Sequence, residues 1–120
     1  MARGVNKVTL LGNLGRDPEM KGESFATCSV ATTEKWKDKT SGEWQEKTEW
    51  HSLKASRYAA EAMMRAAKGY TVYVEGKIVT NKWTDSSGVE RRDKDIDVHT
   101  FKVISKPQGQ EQAEDEDLPF

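Results

Sequence analysis

The chain has 120 residues, of which 35% are hydrophobic and 32% charged, with a mean hydropathy of −0.84, which leaves room for one small core and not for two domains. No apolar run approaches the roughly 20 residues of a membrane span, and Met1-Ala2-Arg3-Gly4 has no apolar stretch of the secretory kind, so the expected location is the cytoplasm. The net charge of −1 hides an asymmetry: residues 1–106 hold all 19 Lys and Arg and 15 of the 20 acids, a balance of +4, whereas residues 107–120 hold five acids and no base. Such a split suggests a basic body that meets a polyanion and an acidic tail that mimics the polyanion or meets another protein.

Residues 5–14 (VNKVTLLGNL) alternate as a first strand, with Val8, Leu10 and Leu14 on one face and Gly12 and Gly15 marking a bend and a turn. Arg16-Asp17-Pro18 reads as a turn, and residues 25–33, rich in small and β-branched side chains, as a second strand. Residues 34–47 (EKWKDKTSGEWQEK) are charged, contain Thr40-Ser41-Gly42, and carry two tryptophans without apolar company; they predict a projecting loop or hairpin. A third strand covers residues 48–55. Ser56 is the expected N-cap of a helix over residues 57–68, with Gly69 at its C′ position.

Residues 70–83 form the longest β-like run, interrupted by Gly76, where a strongly curved strand can bend; Asp85-Ser86-Ser87-Gly88 turns the chain, and residues 89–104 return as a fifth strand. The order β-β-β-α-β-β predicts a five-stranded Greek-key barrel with its helix between the third and fourth strands. That is the OB-fold, an architecture used for oligonucleotides and oligosaccharides. Residues 1–106 are the expected domain. Residues 107–120, with three glutamines and a charge block and no periodicity, are an expected disordered linker and tip.

Trp36, Trp44, Trp50 and Trp83 all sit among polar or charged neighbours. An exposed indole beside lysines can stack on a base while the ammonium meets the phosphate, whereas a core indole has apolar company. Trp44, between acidic and neutral residues, is the weakest of the four for this role. Cys28 is alone and reads as a small buried side chain with no disulfide or metal role. His51 and His99 are the only histidines, no nucleophile or phosphate-loop motif is present, and Asp93, Asp95 and Asp97 fall on one solvent face of a strand. Neither catalysis nor a cofactor or metal is expected.

Arg3-Gly4-Val5-Asn6-Lys7-Val8, Gly12-Asn13-Leu14-Gly15-Arg16-Asp17-Pro18, Thr48-Glu49-Trp50-His51, Lys82-Trp83-Thr84-Asp85 and the terminal Asp-Leu-Pro-Phe together resemble the bacterial single-stranded DNA-binding protein family. The resemblance implies a non-catalytic protein that protects single-stranded DNA in replication, recombination and repair, at the nucleoid. It puts Trp36, Trp50 and Trp83 on base-stacking positions and Arg3, Lys7, Lys39, Lys68, Lys82 and Arg91 along the DNA path. It also implies that His51 lies at a subunit contact of a homotetramer, and that Asp115, Glu116, Asp117, Leu118, Pro119 and Phe120 form a tip that docks replication and repair proteins. Four features depart from the pattern: Ser56 stands where the family usually carries a stacking phenylalanine, Val79-Thr80-Asn81-Lys82 stands where relatives are often richer in arginine, the loop between the first two strands is shortened, and the linker before the tip is short. At about 5 to 6 Å times the square root of its length, such a linker reaches on the order of 15 to 20 Å.

Overall fold

A computed structural model describes residues 3–107, and the expected linker and docking tip lie outside them apart from Pro107. Six strands and one helix follow in the order β1 (Val8–Leu14), β2 (Glu19–Lys21), β3 (Phe25–Lys37), β4 (Trp44–Ser56), α1 (Arg57–Met64), β5 (Thr71–Thr84) and β6 (Glu90–Ser105). The five long strands are those predicted and close on themselves as an OB-fold barrel. The sheet runs β1-β5-β6-β4-β3, and β1 pairs again with β3 through Asn13 opposite Ala31 and Leu14 opposite Val30. Three-residue β2 is an edge addition to β3, in a stretch that the sequence showed only as following a turn.

Two kinds of seam hold the barrel together. The hairpins β3–β4 and β5–β6 are antiparallel and run far, from Phe25 opposite Ser56 to Lys37 opposite Trp44, and from Thr71 opposite Ser105 to Thr84 opposite Glu90. The seam joining the hairpins is short and parallel: Leu53 opposite Ile96, Lys54 opposite Asp97 and Ala55 opposite Val98. Period-two alternation sends Ala26, Cys28 and Val30 of β3, Leu53 and Ala55 of β4, Val72 and Val74 of β5, and Ile96 and Val98 of β6 into one core. α1 covers that core with Ala59, Ala60 and Met63. Burial pushes the Cys28 thiol up to about 12, against a smaller opposing pull from Arg16, so it stays a neutral core side chain.

Close strand crossings explain the expected bend at Gly76. A Cβ there would collide with the Asp97 carbonyl, and the β5–β6 register shifts between Glu75 and Gly76. The bulge lets β5 curve from the barrel wall into a projecting arm.

Residues 34–47 form the projecting hairpin that was one of the two expected readings, because paired strand reaches Lys37 and resumes at Trp44. Asp38 fastens the intervening turn: its carbonyl accepts from Gly42 N–H at 2.8 Å, its N–H donates to Glu43 O at 2.8 Å, and its carboxylate accepts from Thr40 N–H at 2.8 Å. The sequence reading needs three corrections. α1 ends at Met64 rather than at residue 68, since the chain tightens into turns from Ala66 N–H to Met63 O and from Tyr70 N–H to Ala67 O. Gly69 does take the left-handed conformation, at φ 89, but serves the turn into β5 by donating to Leu14 O instead of ending the helix. Ser56 stands at the N-cap without a capping hydrogen bond, because the chain enters the helix abruptly through Arg57 at φ 55.

Candidate nucleic-acid interface

Both long hairpins outrun the core. Residues 33–37 of β3 and 44–50 of β4 are exposed on one arm, and residues 82–84 of β5 and 90–94 of β6 are exposed on the other. Every tryptophan of the chain lies on these arms, with 46% of Trp36, 72% of Trp44, 60% of Trp50 and 47% of Trp83 open to solvent. An indole left this exposed gains little from folding, so its position asks for a ligand. Exposure alone does not set Trp44 apart from the others. Alternation along β4 places Trp44 on the face of Trp50, whereas Trp36, paired with Gln45, occupies the opposite face of the ribbon.

Neighbours fix two of these rings. Trp50 lies against Gly15, where any Cβ would collide with the far edge of the indole. The glycine expected only as a turn is therefore a seat for an aromatic ring. Trp83 donates its Nε1–H to Asp93 Oδ2 at 2.8 Å, and Asn81 donates to Asp95 Oδ2 at 2.6 Å. The aspartates do share the outer face of β6, as expected, while Ile96 between Asp95 and Asp97, and Val98 after Asp97, point inward, and two of the three aspartates orient side chains on the neighbouring strand.

Charge around the arms is mixed. Lys39 is exposed in the β3–β4 turn, and Lys82 is exposed on β5 next to Trp83. Arg91 gives its Nε–H to Asp85 at 2.9 Å, which leaves the rest of its five-donor guanidinium for another acceptor. Asp85 also accepts from Val89 N–H at 3.0 Å and Ser87 N–H at 2.9 Å. The Val89 amide first, and then Arg91, hold its carboxyl below the ordinary aspartate value.

Arg3 and Lys7 are exposed on the segment before β1. The sequence reading missed what secures that segment: Asn6 donates to Ile78 O and accepts from Ile78 N–H, both at 2.9 Å, a clamp that keeps the two basic residues beside β5. Lys68 is exposed at the other end of the barrel, where its backbone N–H donates to the Asp17 carboxylate at 2.8 Å. His51 is half-buried with Nε2 2.9 Å from Thr32 Oγ1, a pairing within the β3–β4 ribbon. A second aromatic platform was also missed. Phe25 opens β3 on the outer face, and the Lys54 ammonium sits 4.3 Å from its ring centroid. The available signal was parity: Phe25 and Lys54 each alternate with residues that are fully buried.

Comparison with known proteins agrees with this geometry. A Plasmodium falciparum SSB solved in complex with ssDNA superposes with a TM-score of 0.77 at 27% identity, over 88% of this chain and 99% of that one. A small single-stranded DNA-binding protein from Streptomyces coelicolor shares the fold, with a TM-score of 0.63 at 22% identity over 82% of this chain and 93% of its own. Residues 5–104, the whole barrel with both arms, match the model of the single-strand binding protein family, and the chain belongs to that family.

Proposed function

We propose that this chain binds single-stranded DNA without sequence readout, as a non-catalytic protector of exposed strands during replication, recombination and repair. One observation carries the reading: the aromatic arms present large exposed indoles next to basic side chains and outside any core. Every base has a π-face, so stacking of this kind is tolerant of sequence, at about 1 to 3 kcal/mol per base. Family membership and the ssDNA complex of the Plasmodium relative support the same reading. Trp36, Trp50 and Trp83 are the proposed platforms. Arg3, Lys7, Lys39, Lys68, Lys82 and Arg91 are the proposed phosphate contacts, with the place of action in the cytoplasm at the nucleoid.

Oligo-dT titrated into the protein should quench tryptophan emission at low salt, and log affinity should fall with log salt at a slope of about 0.7 per phosphate neutralised. Absence of quenching at low salt overturns the proposal.

A homotetramer is proposed with it. Leu11, 60% exposed, pairs with Tyr73 on a barrel face away from the arms, where an apolar side chain of this size favours cover by another copy. On the same face the Tyr73 hydroxyl donates to the Glu75 carboxylate, which raises the tyrosine and lowers the glutamate. Solution mass with and without a fixed-length oligo-dT reads the assembly. The acidic tip, residues 115–120, is the proposed dock for replication and repair proteins. Deleting Leu118, Pro119 and Phe120 should abolish partner capture and leave DNA affinity unchanged, because all five acidic side chains of the tail remain.

A further inference from the structure

The two faces of the β3–β4 arm are not equivalent. Cross-strand register places Lys37 opposite Trp44, Lys35 opposite Glu46, Thr33 opposite Thr48 and Ala31 opposite Trp50, so these side chains share one face. The other face carries Glu34 and Trp36 from β3, and Gln45, Lys47 and Glu49 from β4. From residue 33 outward, the first face therefore holds two lysines and one glutamate, and the second holds one lysine and two glutamates.

Trp44 thus stands on the more basic face, although its neighbours along the chain, Glu43 and Gln45, made it the weakest of the four tryptophans in the sequence. Alternation sends Gln45 to the opposite side, and the residue that meets the indole across the ladder is Lys37. The one glutamate of this face, Glu46, is already paired with Lys35 at 3.9 Å, whereas Lys37 has no ion pair among the described residues. Beside the indole an open cleft of about 460 Å³ is lined by Lys35, Trp44, Gln45 and Glu46. Trp44 is also the most exposed tryptophan, so burial on folding does little to explain it. A free aromatic face with an ammonium across the strand pair matches a stacked base and its phosphate.

We propose that Trp44 is a fourth base-stacking platform, continuing the face of Trp50 toward the tip of the arm, with the Lys37 ammonium as the contact for the neighbouring phosphate. The inference rests on the single-stranded DNA binding proposed above and carries the path of the strand about 20 Å beyond Trp50, at the rise of a β-strand.

The test measures the affinity of the full-length chain for an oligo-dT of about 16 nucleotides, the upper end of the footprint of one OB domain, in wild type, Trp44→Ala, Trp44→Phe and Lys37→Gln. Trp44→Ala should weaken binding by about fivefold or more, and Trp44→Phe, which keeps a π-face, should retain most of the affinity. The emission lost at saturation, per mole of protein, should be smaller in Trp44→Phe than in wild type, because one quenched indole is gone. Lys37→Gln should reduce the salt slope by about 0.7, the share of one phosphate. The emission reading uses only the aromatic replacement, so it stands even where the alanine variant disturbs the arm. Wild-type affinity in Trp44→Ala, or an emission loss in Trp44→Phe equal to that of wild type, overturns the platform and leaves the DNA-binding reading standing. An unchanged slope in Lys37→Gln overturns the phosphate contact. Failure of wild type to bind the strand overturns both readings.

Discussion

Gly15 and Trp50 make one functional unit. The glycine leaves a flat seat, and the indole that fills it is the largest group near the base of the first arm. Gly15→Ala pushes a methyl into the far edge of a side chain that can swing away, so thermal stability should change little while the ring loses its orientation. DNA affinity should fall by about 1 to 3 kcal/mol, the worth of one stacked base, with weaker emission quenching in the same titration. A variant that melts early but binds as wild type would show that the glycine serves folding instead. The tryptophans were legible as candidates because their neighbours are charged. Gly15, Asn6 and Asp93 were not, since each acts on a partner remote in sequence or across a strand pair, and nothing in the local pattern names that partner. Phe25 was obscured for a different reason: an aromatic at the start of a strand of small residues looks like core until the parity of Ala26 and Cys28 is fixed.

The arms are elements of an unusual kind, because hydrogen-bond ladders and turns support them with little hydrophobic burial. Strand order and the position of the helix could be read from apolar alternation, which the core imposes. Residues 34–47 have no such alternation, so a loop and a hairpin both stayed open although the turn residues were evident. The end of α1 was misjudged because Ala66 and Ala67 are good helix formers, yet Ala66 is drawn into the core through a tight turn. At the tip of the second arm Asp85 holds the turn. Its folded carboxyl titrates below the ordinary value of 3.8, so the stabilisation is complete above that value and is lost only as pH falls through the lower folded one. Amide resonances of Ser87 and Val89 should therefore hold their neutral-pH positions at pH 4 and move in stronger acid, and Asp85→Ala should abolish that step. A transition above 3.8 would contradict the assigned bonds.

At the scale of the molecule, two long hairpins become a barrel only through close crossings and short seams. Gly76 stands at the crossing where β5 bends, and Gly76→Ala should lower stability by about 1 to 3 kcal/mol, as overpacking does, with a lower urea midpoint and an unchanged slope. An unchanged midpoint would mean that the wall can yield. The three-residue parallel seam between β4 and β6 has a further consequence, felt while the polypeptide is being made. β4 is complete long before Ile96, Asp97 and Val98 exist to pair with it. A ribosome that stalls or terminates in that interval releases a β3–β4 hairpin with one bare edge, which another such fragment can template. Incomplete copies of this protein should accordingly accumulate as aggregates and not as weak binders of DNA.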